Sequence, residues 1–109
     1  MFFSFPQDFK EKQFKPGAMN HFFWGDTVLI SRVTLEPNRD FGIAIHPYEQ
    51  VSMLLEGEME LEIGDEVRRL RKGDGVVIPP NTKHRGRTFS TPAILLECFG
   101  PDCKENYLT

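Results

Sequence analysis

Two histidines and a glutamine are spaced so that three metal-ligand side chains can meet. His46 and Gln50 lie four residues apart, and His84 ends a second segment at residues 73–84. Alternate side chains of an extended strand share one face, so parity puts His46, Gln50 and Ser52 together if the strand resumes after the intervening proline. Imidazole nitrogens and an amide oxygen on adjacent strands of a barrel form a candidate site for zinc, nickel, iron or manganese, with open positions for water or substrate.

Short β-rich segments must position these side chains. They are residues 27–35, 41–46, 51–55, 58–63, 66–70, 75–78, 85–89 and 93–99. Turn residues separate the segments at regular spacing, and none of them shows a helical period. Eight short strands in this arrangement predict an all-β protein folded as a double-sheet jelly roll or small barrel.

Length and charge restrict the class of protein. A chain of 109 residues is long enough for one hydrophobic core and too short for two, so residues 1–109 are expected to form a single domain. The net charge of −3 argues against non-specific nucleic-acid binding, which depends on clustered lysines and arginines. The one basic cluster, at residues 68–72, follows alternate glutamates at 56–62 across a Gly64-Asp65 turn. We therefore expect opposite charges to pair across a hairpin on the outer surface.

The sequence also bears on the compartment. Residues 1–6 are apolar but lack a basic start, and charged residues follow at 8–12, so they do not resemble a signal peptide. No apolar run approaches the roughly 18 residues that span a bilayer, which predicts no membrane partner. Cys98 and Cys103, without a secretory signal, predict free thiols in a reducing compartment. The expected location is the cytoplasm.

Aromatic residues crowd the N-terminal arm, residues 1–25. Seven of the ten phenylalanines, together with Trp24, fall in the first 24 residues. So much aromatic surface needs cover that the arm alone does not supply. The arm is expected either to fold back on its own barrel or to pack on a second copy. The second arrangement predicts a homodimer, because packed arms block sheet edges.

Residues 41–62 and 73–84 resemble the paired motifs of the small cupins. The spacing from Gln50 to Gly57 matches the first motif, and Gly73-x5-Pro79-x-Asn81-x2-His84 matches the second. The resemblance implies the cupin double-stranded β-helix and a metal held by His46, Gln50 and His84. Ala44 stands where the motif has the first histidine of a pair.

The C-terminal residues 97–108 are similar to the closing segment of the short cupins that linearise unsaturated uronates from pectin and alginate. Glu97 stands at that family's acidic position and Phe99 at its aromatic position. The family's carboxylate-binding arginine falls at or near Cys103, with Lys104 the nearest cation. The resemblance implies a small acidic carbohydrate as ligand, and ring opening or another isomerisation as the reaction.

Within this interpretation each candidate residue has a role. Glu97 would move a proton, first as general base and then as general acid. The candidate substrate-pocket residues are Phe99, Ser52 and Tyr48. The ligand position left by Ala44 could be taken by water, Glu49, His21 or Tyr48; parity turns Glu49 away from the pocket, and His21 has the character of an ordinary packed residue.

Two alternatives stay open. His46 and His84 could form a metal-free pocket in which the imidazoles hydrogen-bond to Gln50, Ser52 or water. The protein could also be a small-molecule binding or sensor module with a degenerate metal site, which Ala44 favours. A dioxygenase is disfavoured, because that chemistry usually requires an anionic ligand set and Gln50 is neutral.

Overall fold

A computed structural model describes residues 1–104 and Tyr107, and over these residues the chain is almost entirely β. The strands are β1 (Lys10–Lys15), β2 (Ala18–Trp24), β3 (Leu29–Leu35), β4 (Asp40–Ala44), β5 (Gln50–Glu56), β6 (Glu58–Ile63), β7 (Glu66–Arg71), β8 (Gly75–Ile78), β9 (His84–Thr88) and β10 (Ala93–Phe99). A 3₁₀ turn follows at Pro101–Cys103. The described residues contain no helix that is long and apolar enough to cross a membrane.

Two antiparallel sheets enclose the core. The larger sheet has the order β1-β2-β3-β10-β5-β8, and the smaller has the order β4-β9-β6-β7. Aliphatic side chains from both sheets meet between them, among them Leu54 and Leu95 from the larger sheet and Met59 and Leu61 from the smaller. This two-sheet architecture confirms the predicted all-β jelly-roll fold.

The eight strands predicted from residue 27 onward form as β3 to β10, and the described residues contain two more. The N-terminal arm supplies the additional two: β1 pairs with β2, and β2 pairs with β3 of the same chain. In β2, Ala18, Asn20 and Phe22 are buried while the side chains between them are less so. This period of two is hidden in the sequence by aromatic residues on both faces. The arm therefore folds back on its own barrel.

The charged hairpin forms as predicted. The Arg69 Nε atom donates to Glu58 Oε2 at 2.7 Å, and Lys72 Nζ lies 3.4 Å from Glu56 Oε1. Strand β9 adds Arg87, which binds the carboxylates of two other glutamates of β6. The residues of the basic cluster are exposed, so these ion pairs cover the outer surface and contribute little stability individually.

Aromatic residues of the arm cover part of the outer face of the larger sheet. Phe3 stacks on Phe23 of β2 with ring centroids 4.6 Å apart, and Phe9 meets the same ring edge-on at 4.9 Å. The Arg32 guanidinium lies over the Phe5 ring at 4.7 Å. Phe3, Phe5 and Phe9 therefore pack against β2 and β3, whereas Met1 and Phe2 are exposed to solvent.

Candidate functional site

Strand register collects polar side chains at one end of the barrel interior. On the inner face of β10, Glu97 lies between Ser31 of β3 and Ser52 of β5. One step further along the strands, Phe99 pairs with Gln50. Gln50, Ser52 and Ser31 are buried, which confirms that Gln50 and Ser52 share the inner face. Strand alternation alone thus brings an amide, two hydroxyls and a carboxylate into adjacent rows.

Gln50, Ser52, Glu97 and Phe99 of these rows line a cavity of about 200 Å³ that opens to solvent. The candidate metal-ligand, proton-transfer and substrate-pocket residues all lie on its wall, namely His46, Tyr48, Gln50, Ser52, His84, Glu97 and Phe99. The structure therefore brings the whole set together, and their chemical roles stay predictions. A space of this size suits a ligand smaller than a typical drug molecule, such as a single sugar ring.

Each of the two histidines holds its Nδ1 atom against a backbone carbonyl oxygen, which leaves its Nε2 atom for the cavity. Their ring centroids lie 4.9 Å apart. His46 Nδ1 lies 2.9 Å from the Tyr48 carbonyl oxygen, and His84 Nδ1 lies 3.0 Å from that of Thr82. A carbonyl oxygen only accepts, so each Nδ1 carries the proton and each neutral ring keeps its lone pair on Nε2. Burial, aided by the charge of Lys15, holds the pKa of His84 below its usual value although the hydrogen bond to Thr82 acts in the opposite direction, and this favours the neutral ring.

Gln50 is oriented by its neighbours. Its Nε2 atom donates to Ser52 Oγ and to Glu97 Oε2, both at 2.9 Å. The amide oxygen Oε1 therefore faces His46 Nε2, at 3.1 Å. With a proton on Nε2, this contact is a hydrogen bond from a charged His46. With a neutral His46, the lone pairs of His46 Nε2 and Gln50 Oε1 face each other. A cation bound by both atoms would remove the repulsion between these lone pairs.

The spacing of two of the three candidate ligands suits a divalent metal. Two ligands at ~2.1 Å from one ion and at a right angle lie ~3 Å apart, which matches the spacing of His46 Nε2 and Gln50 Oε1. The set contains no carboxylate, and the described residues include no group of three or more His, Cys, Asp or Glu placed to hold an ion. Ala44 pairs with His84 across β4 and β9 and also lines the cavity, so its methyl group occupies the place of a further ligand.

Of the three side chains considered as substitutes for the ligand missing at Ala44, one lines the cavity and two do not. Glu49 is exposed and His21 binds Glu11 at 2.8 Å; neither lines the cavity. Tyr48 does line it, with its ring stacked on His46 at 4.2 Å and nearly parallel. A stacked ring restrains the imidazole through its face, so Tyr48 positions His46.

Glu97 is the carboxylate of the cavity. Besides Gln50, it has the Tyr107 hydroxyl as a partner, 3.5 Å from Oε1. Burial raises the pKa of Glu97 to about 7, while the hydrogen bond from Gln50, the charge of Lys15 and the contact with Tyr107 act in the opposite direction. The group can therefore exchange a proton near neutral pH.

Sequence reasoning missed Asn20 and Tyr107. The buried Asn20 Nδ2 donates to Ser31 Oγ at 3.0 Å and to the Tyr107 hydroxyl at 3.4 Å, which links β2 to Glu97. Burial, then the nearby charge of Glu97, raises the pKa of Tyr107, so its hydroxyl stays protonated. The sequence did contain a signal for Asn20: it alternates with Ala18 and Phe22, so the three side chains share one face if the segment is a strand.

The expected position of the carboxylate-binding cation is not at the cavity. Cys103 is fully buried in an aromatic cluster, and Lys104 is half-exposed with its Nζ on the Asp26 carbonyl oxygen at 2.7 Å. Neither residue lines the cavity, whereas the cations Lys15 and Arg85 do. Lys104 is the cation nearest in sequence to the expected arginine position, but it lies outside the cavity. The sequence of the C-terminal segment gave no indication that β1 lies beside the site.

Comparison with known proteins supports the fold. A family model described as a cupin domain matches residues 31–99, and no curated protein matches the chain. An RmlC-like cupin from Shewanella frigidimarina superposes with a TM-score of 0.85 at 21% identity, over 98% of this chain and 96% of that one. KdgF from a Halomonas species gives 0.82 at 20% identity, over 93% and 94%. The polyketide cyclase RemF from Streptomyces resistomycificus gives 0.79 at 19% identity, over 93% and 80%. At these identities the likeness establishes the fold.

Proposed function

This chain belongs to the cupin family, and we propose that it catalyses a metal-assisted ring opening or isomerisation of a small acidic carbohydrate. One observation carries the proposal. The Glu97 carboxylate lies in the cavity and binds the same Gln50 amide whose oxygen faces His46. A proton-transfer group and a set of neutral ligands thus share one small space.

His46, Gln50 and His84 would hold the metal. When bound, a divalent ion supplies a Lewis acid for a hydroxyl or carbonyl oxygen of the substrate. The two backbone carbonyls at Nδ1 fix the direction of both imidazoles, and Glu97 with Ser52 fixes that of Gln50. These outer contacts limit the reorganisation that binding requires.

Glu97 moves the proton. Opening a cyclic 4,5-unsaturated uronate transfers one proton from the anomeric hydroxyl to C4, with no net oxidation or reduction. Glu97 takes the hydroxyl proton as the bond from C1 to the ring oxygen breaks, and returns it to C4 of the resulting enolate to leave the linear ketone. The Gln50 and Tyr107 contacts stabilise the ionised carboxylate before the first step and after the second, when Glu97 carries no proton.

The proposal is tested first by metal content. We expect protein purified without a histidine tag to contain a stoichiometric divalent ion by elemental mass spectrometry, and His84→Ala to lose it. His21→Ala is the matched control, because His21 lies outside the cavity, and it should keep the ion. Wild-type protein that is empty and takes up no nickel, zinc, iron or manganese on dialysis contradicts the metal-assisted reaction.

Ala44 supports a second candidate function, a binding or sensor module that holds the same ligand without turnover. The variant Glu97→Gln separates the two candidates. In an enzyme it abolishes the loss of ultraviolet absorbance that accompanies ring opening of the unsaturated uronate, while ligand binding is retained. In a binding module the wild-type protein already shows no such change, and both proteins bind equally well.

We further propose that the chain forms a homodimer through the outer face of the larger sheet. Val51, Met53 and Val77 are about half exposed there, on β5 and on the edge strand β8. An apolar face that reaches an open edge is suited to a second copy of the same sheet, which covers both at once. Light scattering should give twice the monomer mass, and Met53→Lys should reduce it; a wild-type monomer at micromolar concentration contradicts the proposal.

A further inference from the structure

The arm strand β1 delivers a cation to the cavity. Lys15 is the last residue of β1, and the pairing of β1 with β2 is irregular between Lys12 and Lys15. Phe14 and Lys15 both line the cavity although they are consecutive. In a regular strand neighbours face opposite sides, so the irregular register is what turns Lys15 inward.

Lys15 has spare hydrogen-bonding capacity. Its Nζ atom donates to the Phe41 carbonyl oxygen at 3.1 Å, which uses one of three N–H groups. Within residues 1–104 and Tyr107, no carboxylate forms an ion pair with it. Arg85, the other cation on the wall, is held by both oxygens of Asp40. Of the two cations on the cavity wall, Lys15 is therefore the one whose charge is not matched by a described carboxylate.

The charge of Lys15 acts within the site. It lowers the pKa of Glu97 on one side and that of His84 on the other, although neither contacts it directly. A substrate bound between these two residues lies in the same field. Placing a lysine ammonium in a partly desolvated cavity costs free energy that an anionic ligand offsets.

We propose that Lys15 is the residue that binds the carboxylate of the ligand. The inference rests on the proposed function, because it identifies which group of this protein recognises the acidic part of the sugar. Lys15 then takes the role of the carboxylate-binding arginine that the resemblance places at or near position 103, where this chain has a buried cysteine. The carboxylate lies towards β1 and β4, and the sugar ring extends from there to Gln50 and Glu97.

Binding of a charged and a neutral sugar tests this assignment. D-galacturonate and D-galactose differ by one carboxylate, and their affinities are measured by calorimetry for the wild type, Lys15→Met, Lys15→Arg and Lys12→Met. Lys12→Met is the matched control, because Lys12 lies on the same strand with its ammonium over the Phe14 ring. Thermal unfolding of each variant checks that the arm remains folded.

We expect Lys15→Met to weaken galacturonate binding at least tenfold, with Lys15→Arg recovering most of it and Lys12→Met unchanged. Weak galactose binding should be the same in all four proteins. Wild-type preference for galacturonate that survives in Lys15→Met overturns the role of Lys15 and leaves the proposed function standing. Wild-type protein that binds galacturonate no better than galactose overturns both, so the two failures are distinguishable.

Discussion

The two ends of the barrel interior differ although the same strands build them. At the closed end, β2, β3, β5 and β10 present aliphatic side chains, and these are Ala18, Val33, Leu35, Leu54, Ala93 and Leu95. At the open end the same four strands present the polar side chains Asn20, Ser31, Gln50, Ser52 and Glu97, beside an aromatic cluster that includes Phe22, Leu29 and Phe99. The change from aliphatic to polar falls at neighbouring rows, between Leu54 and Ser52 on β5 and between Leu95 and Glu97 on β10.

This contrast separates stability from function within one fold. Each aliphatic side chain of the closed end contributes through burial and packing. The polar groups of the open end must be satisfied by each other, as Gln50 is by Ser52 and Glu97, since unpaired buried groups are costly. Substitutions at the two ends should therefore affect different measurements.

The largest effect is expected at the open end. Glu97→Gln removes the proton-transfer group while keeping an acceptor for Gln50, so turnover of an unsaturated uronate should fall by a factor of about 10²–10⁴. Steady-state absorbance assays measure kcat, and Glu49→Gln, on an exposed residue outside the cavity, is the control. Equal kcat for Glu97→Gln and the wild type contradicts the assignment of the general base.

At the closed end the expected loss is of stability. Leu54 is fully buried, so Leu54→Ala should lower the free energy of unfolding by about 2–5 kcal/mol through lost burial and the cavity left behind. Urea unfolding measures this change, and Met53→Ala, on the exposed face of the same strand, should cost much less. Metal content should not change, and its loss in Leu54→Ala would show that the two ends are coupled.

The open end should also limit stability in a pH-dependent manner. In metal-free protein the pKa of Glu97 rises from 4.5 to about 7, so the folded state holds a proton that the unfolded state releases, and stability falls as pH rises between these values. Glu97→Gln removes that loss. The variant should gain roughly 1–3 kcal/mol over the wild type above pH 7 and nothing below pH 4.5. A pH-independent difference in urea unfolding with EDTA present contradicts this account.

A smaller effect is expected from restoring the ligand missing at Ala44. Ala44→His places a third imidazole beside His84 and should raise metal affinity about tenfold or more, equivalent to at least ~1.4 kcal/mol. Competition with a chromogenic chelator measures the affinity. Ile43→His, on an exposed side chain of the same strand, is the control, and equal affinity for both variants would place the metal elsewhere.

Much of the candidate site could be predicted from the alternation of side chains along single strands. Parity placed Gln50, Ser52 and Leu54 on one face, and the turn before His84 and the β-rich run at 93–99 were evident in the sequence. Asn20 and Lys15 were not found, because β2 carries aromatic residues on both faces and β1 is mostly charged, so neither segment shows the alternation typical of a strand. Only a register irregularity turns Lys15 inward, and neither composition nor spacing indicates such an irregularity.

The sequence by itself determined the all-β class, the order of the strands from residue 27 onward, and the residue types available for chemistry, because these depend on side-chain alternation and turn residues. Tertiary structure decided which charges meet. It brought Lys15 from β1 to the cavity, placed Lys104 outside it, and set Tyr107 beside Glu97. Contacts between residues far apart in the chain depend on sheet pairing and packing, which hydrophobic pattern constrains but does not specify.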